Sequence, residues 1–257
     1  LVGMERSEIE KAMKGASLQR DLQMAYLDQV RQQEARSFAL FHADSRSDAD
    51  DAQKRLALDA LNASTAYLRT VGDLLVAAYF NGKKKNDRED LKQLYLTATL
   101  QHNAGIDLEK ELAEPLELLR KGEKGIQPLH WQLAFPDVFG REHPGFDAFI
   151  GNPPYLGGRL IANALGDDYT SLLKNFLKIK KGSADLAVYF VARASGLLCD
   201  SGSMALITTK SIKEGDTRPI FQDILEEKRL NIFYATTPRL WPGAAGTSYV
   251  SFALTRD

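Results

Sequence analysis

Gly145-Phe146-Asp147-Ala148-Phe149-Ile150-Gly151-Asn152-Pro153-Pro154-Tyr155 is an apolar run of strand character that ends in a glycine and then meets two prolines. Neither proline has an N–H to donate, and both hold φ near −65°. Each also pushes the residue before it out of the helical region. The strand therefore stops at Asn152 and leads into a short, stiff, extended loop. That loop carries carbonyl oxygens with no sequence neighbour to pair them, one carboxamide and one aromatic ring.

Those parts suit one chemical task. An amino group conjugated to a ring is a poor nucleophile, because its lone pair is delocalised. The Asn152 side-chain oxygen and the Pro153 carbonyl are two acceptors for its two hydrogens, which favours the pyramidal, reactive nitrogen. The Tyr155 ring is suited to stack on a planar base. Positioning and preorganised dipoles carry the rate, so the chemistry requires neither a metal nor a covalent intermediate. A ring amine inside a duplex is out of reach, so the target is flipped out or already unpaired.

Asn152-Pro153-Pro154-Tyr155 resembles the catalytic motif of amino-group methyltransferases that use S-adenosylmethionine, above all the N6-adenine DNA methylases. The resemblance covers roughly residues 126–257 and has further carriers. One is the lead Phe135-Pro136-Asp137-Val138-Phe139 into the motif strand. Another is Met204-Ala205-Leu206-Ile207-Thr208-Thr209 followed by the polar loop Lys210-Ser211-Ile212-Lys213-Glu214-Gly215-Asp216-Thr217-Arg218. The last is Trp241-Pro242-Gly243-Ala244-Ala245 before the final strand. Together they look like the large single-chain adenine methylases of restriction and phage-defence systems. The resemblance implies the C-terminal half of a class I, Rossmann-like α/β methyltransferase sheet with a closing antiparallel strand. It also implies DNA as partner and Trp241 as the aromatic residue closing the adenine pocket opposite Tyr155. Asp185, at the head of an Asp-Leu helix, is implied to sit beside the cofactor; a plain helix cap is the competing reading. Many relatives have Asn where this chain has Lys210.

The chain's 257 residues are 44% hydrophobic and 26% charged, an ordinary globular composition. The formal net charge is −1, so contact with nucleic acid must come from a local basic face. Lys174, Lys178, Lys180 and Lys181 lie close in sequence to the motif; with Lys210 and Arg218 of the later loop they are candidate phosphate contacts. Plain solvation is the alternative. The single cysteine, Cys199, excludes an intrachain disulfide framework and fits a reducing, cytoplasmic setting. No run approaches a membrane span.

Residues 1–125 read as a helical insertion or support region, and 126–257 as the partial catalytic domain. Leu58, Leu61, Leu68, Val71 and Leu75 recur at helical spacing. Asp44 to Asp51 reads as an N-cap and acidic first turn rather than a metal loop, and Gly82 as that helix's stop. Lys83 to Arg88 is a basic turn, followed by helices near 87–101 and 106–121. Leu129 to Phe135 alternates like a strand, with His130 packed inside. After Tyr155 the chain is loop-like up to a helix capped at Asp185. Asp200-Ser201-Gly202-Ser203 reads as a turn, followed by a strand, a helix (219–228), and strands at 231–235 and 247–254.

No strand–glycine-turn–helix unit precedes residue 126. The expectation is therefore a piece of a longer enzyme that carries the base-side chemistry, lacks most of the S-adenosylmethionine site and transfers no methyl group alone. The strand at 146–151 is expected to leave an exposed sheet edge, which either invites self-association or is covered by the helical region. Two other functions compete. Protein N5-glutamine methylation shares the motif, but its helical part leads straight into a glycine-rich turn not seen here. A non-catalytic protein- or DNA-binding scaffold is the other. Glu226-Glu227-Lys228 has the Glu-x-Lys spacing of a nuclease but no Pro-Asp partner at a sensible distance.

Overall fold

The computed structural model describes residues 2–15, 20–41, 43–101, 108–176, 184–241 and 248–256, within two compact units, Val2–Asp137 and Val138–Asp257. The first holds α1 (Arg6–Gly15), α2 (Arg20–Phe41), α3 (Asp48–Asn81), α4 (Lys85–Gln101), α5 (Leu108–Glu111), α6 (Ala113–Arg120) and α7 (Trp131–Ala134). A further turn, α8 (Pro136–Phe139), crosses the boundary.

Helix α3 starts where its polar residues can close on each other. Asp50 N–H donates to Ser47 Oγ at 3.3 Å, and the Asp50 carboxylate accepts from Arg46 N–H and Ser47 Oγ–H, both at 2.9 Å. Asp48, Asp50 and Asp51 thus lie in the first turn, where their charge also complements the exposed N–H groups. Leu61, Leu68, Val71 and Leu75 are buried, but Leu58 is 46% exposed and lies off the core stripe. Gly82 ends the helix with φ −85°, not in the left-handed region. Its reason is close approach: a Cβ there would lie 2.9 Å from the Arg88 Cα.

The unit boundary falls at 137/138 rather than at the step in composition at 125/126. The reason is that 126–137 is bonded into the helical unit. Leu129 N–H donates to Val2 O at 2.9 Å. His130 is buried; its Nδ1 accepts from Met4 N–H at 2.9 Å and its Nε2 lies 3.0 Å from Asp73 Oδ1. The expected strand over 129–135 is instead a helical turn. Ala134 N–H bonds His130 O and Phe135 N–H bonds Trp131 O, which stacks Trp131 on Phe135 at 5.6 Å. Aromatic residues four apart touch on a helix, whereas on a strand they share a face but lie about 13 Å apart.

The second unit contains β1 (Phe146–Gly151), α9 (Gly158–Leu165), α10 (Asp167–Phe176), α11 (Leu186–Ser195), β2 (Leu198–Thr209), a 3-10 turn (Lys210–Lys213), α12 (Thr217–Glu227), β3 (Leu230–Ala235), β4 (Arg239–Leu240) and β5 (Ser248–Arg256). The fold is mixed α/β. Strand order is β1-β2-β5-β3, with β4 also on β5. The pair β1–β2 is parallel, and β5 runs antiparallel to both β2 and β3. This is the sheet with a closing antiparallel strand that the resemblance implied. Its core joins Val188, Tyr189 and Ala192 of α11 to Met204 and Leu206 of β2, Phe252 and Leu254 of β5, and Ile220 and Phe221 of α12.

Two expectations in this unit are corrected. The loop-like stretch after Tyr155 folds into α9 and α10, whose Ile161 and Leu173 insert into the core. The turn at 200–203 lies within β2, as a bulge: β2 places residues 199–202 between the partners of Phe146 and Ala148, where β1 has Asp147 alone. Gly202 fits there because a Cβ would lie 2.9 Å from Phe146 O. Among the described residues no helix is long and apolar enough to cross a membrane.

Candidate active site at the carboxyl ends of β1 and β2

In an open parallel sheet, ligands bind in the crevice outside the carboxyl ends of the strands. The diproline loop emerges there. Gly151 pairs with Leu206, and β1 then stops while β2 continues to Thr209. Pro153 is buried; Asn152 and Pro154 are exposed. The Asn152 carboxamide makes no hydrogen bond to any described residue, so its donors and acceptor are free for a ligand.

Tyr155 is 38% exposed, and its hydroxyl donates to Ile207 O at 2.9 Å. That carbonyl is open for a readable reason. Ile207 lies opposite Ser251, whose own N–H and C=O both bond Thr236 on the far side. The Ile207–Ser251 pair is therefore a non-bonded one, and the Ile207 carbonyl points toward β1, which has already ended. The phenol fills the vacant ladder position and fixes the plane of the ring. Partial burial, and after it the negative charge of Asp185, pushes the Tyr155 hydroxyl above its usual pKa, so it stays a donor.

Asp185 caps α11. Its Oδ1 accepts from Ala187 N–H at 3.0 Å and its Oδ2 from Ser211 Oγ–H at 3.0 Å, and its own N–H donates to Thr217 Oγ1 at 3.3 Å. The residue is 4% exposed. Its neighbour Leu186 donates N–H to Leu156 O at 2.9 Å, next to the motif tyrosine. Ser211 and Thr217 were not singled out in the sequence; within a polar loop nothing marks which hydroxyl turns inward.

Trp241 is 38% exposed and meets Tyr249 edge-on, with centroids 5.4 Å apart and planes at 78°. Tyr249 pairs with both Thr209 and Arg239, which puts Trp241 at the same end of the sheet as the motif. Lys210 is exposed, 3.8 Å from Glu214, and Arg218 is exposed in the first turn of α12. Lys174 is half-buried in α10. Lys178, Lys180 and Lys181 lie outside the described residues. The fold thus gathers Asn152, Tyr155, Asp185, Lys210 and Trp241 at one end of one sheet, from segments well separated in sequence except for the motif itself.

The family model for the Eco57I restriction-modification methylase matches residues 35–238. No protein of curated function matches the chain. Among solved structures, a protein from Listeria monocytogenes described as a class I S-adenosylmethionine-dependent methyltransferase is similar at 12% identity, over 98% of this chain and 87% of that chain. Its TM-score is 0.35, too low a superposition to bear on this chain's chemistry.

Proposed function

The chain belongs to the Eco57I family of restriction-modification methylases, and on that premise we propose that it contributes the base-side site for methylation of the N6 amino group of adenine in DNA. Methyl transfer is the family's chemistry; the adenine target is our reading. The observation that carries it is the exposed Asn152 carboxamide, free of described partners, on a diproline loop beside a tethered aromatic ring.

In this reading Asn152 Oδ1 and the Pro153 carbonyl accept the two N6 hydrogens and draw the lone pair out of conjugation. Tyr155 stacks on the flipped base, with its ring held by the bond to Ile207 O, and Trp241 closes the far side. S-adenosylmethionine supplies the methyl group when bound. Its sulfonium carbon would give the methyl group to the N6 lone pair as the carbon–sulfur bond broke, with Asp185 beside it in this reading, and the surplus N6 proton would leave to solvent. Exposed Lys210 and Arg218, with half-buried Lys174, are placed in this reading against DNA phosphates, and Lys178, Lys180 and Lys181 join them. The setting proposed is the cytoplasm, within a restriction or phage-defence system.

The open edge of β1, which pairs only with β2 among the described residues, further supports association through that strand. Transfer of labelled methyl groups to unmethylated DNA by the full protein tests the main reading. Asn152→Ala should lower transfer at least a hundredfold, on the order of losing one preorganised group at a developing charge, while the melting temperature stays the same. Unchanged transfer rejects the assignment.

A further inference from the structure

We infer that Asp185 is a positioning residue of this site: through Ser211 and Thr217 it clamps the turn after β2 against the start of α11, and so holds the motif loop and that turn in fixed register. The inference rests on the methyl-transfer reading above for its rate consequence, though not for its geometry.

A helix cap needs one acceptor. Asp185 has a second oxygen and a backbone N–H engaged far along the chain, to Ser211 at 3.0 Å and to Thr217 at 3.3 Å. Ser211 Oγ lies 2.5 Å from Thr209 Oγ1, so the hydroxyl given to Asp185 also ties down the last residue of β2. Gly215 reverses the chain between the two contacts with φ +51°, a conformation side chains rarely adopt. On the other side, Leu186 N–H holds Leu156 O at 2.9 Å, directly after Tyr155. Three segments thus meet at Asp185 and Leu186: the carboxylate joins the head of α11 to Ser211, the Asp185 N–H reaches Thr217, and the Leu186 N–H holds the end of the motif loop. Asp185 and Thr217 are 4% and 8% exposed, so the carboxylate acts on its neighbours rather than on a ligand in solvent.

The variant that separates clamp from cap is Asp185→Ser. Serine caps a helix as well as aspartate does, but it has no second oxygen for Ser211. In the full protein, Asp185→Ser and Ser211→Ala should each lower kcat for methyl transfer about tenfold to a hundredfold, the scale of a misplaced reacting group. KM for S-adenosylmethionine should stay within about twofold, because the loss is confined to the chemical step. The double variant should be no slower than the slower single one, and Ser211→Thr should restore the rate. A rise in KM with Asp185→Ser while Ser211→Ala is silent would instead make Asp185 a cofactor ligand and overturn the inference. Normal kcat in both variants would reduce it to a cap and overturn it equally. If the wild-type protein methylates no adenine, the functional reading fails on its own. The clamp is then judged by amide hydrogen exchange over 210–217: faster exchange in both variants supports it, unchanged exchange overturns it.

Discussion

At Asn152 an amide is left in solvent on a backbone that two proline rings have already stiffened. The entropy of ordering that loop is met on folding, so in the proposed function little remains to be lost on binding a base. Tyr155 adds a ring whose orientation depends on one hydrogen bond to Ile207 O. Tyr155→Phe should keep the stacking and cost about 1 kcal/mol of loop order, whereas Tyr155→Ala should weaken binding of a flipped base by about 1–3 kcal/mol; titrating a fluorescent base analogue in single-stranded DNA checks both. The same residue sets a pH signature. Its folded pKa is raised, so the stabilisation is complete below the unfolded value of about 10 and is lost as pH rises through the folded value. A spectrophotometric titration difference between wild type and Tyr155→Phe should show a phenol ionising late; one ionising at the ordinary value would refute the tethered, partly desolvated ring.

Among the elements, α3 shows how packing is decided by absent atoms. A Cβ on Gly72 would lie 2.6 Å from His130 Cε1 and 2.8 Å from Ile9 Cδ1. His130 is pinned on both ring nitrogens, so it cannot retreat. Gly72→Ala should therefore destabilise the helical unit by about 1–3 kcal/mol through overpacking, read from urea unfolding; an unchanged midpoint would contradict this packing. The limits of α3 were legible because Ser47, Asp50 and Gly82 act within a few residues of themselves. The motif strand was legible because two prolines leave its chain almost no choice. Elsewhere the cause lay outside the segment. Ile161 and Leu173 make α9 and α10 helical by insertion into a core built from later strands. Trp131 and Phe135 sit in an alternating pattern like that of a strand, but they stack on one helical turn. The inward turn of Ser211 depends on Asp185, 26 positions earlier, and no local pattern announces it.

Across the α/β unit, the sheet has two edge strands among the described residues, β1 and β3. The pair β1–β2 is parallel, β1 pairs on one side only among the described residues, and Ile150 on it is 86% exposed. A bare, apolar edge strand is a template for another chain. Sedimentation should show concentration-dependent association that Ile150→Lys removes, since a charge on an edge strand disfavours pairing; a monomer at all concentrations would refute the open edge as a contact. The two units divide the work in the proposal: the α/β unit carries the motif, the aromatic residues and the Asp185 clamp, while the buried His130–Asp73 contact and the core of α1 to α4 serve the helical unit's own stability.

The central claim is that one amide oxygen and one peptide oxygen activate an adenine amine. The most direct measurement is to treat unmethylated DNA with the full protein and isotopically labelled S-adenosylmethionine, digest it to nucleosides and weigh the products. Label in N6-methyldeoxyadenosine from the wild type, and none from Asn152→Ala, is the predicted result. Label in methylated cytosine, label on protein glutamine, or equal yield from Asn152→Ala would contradict it.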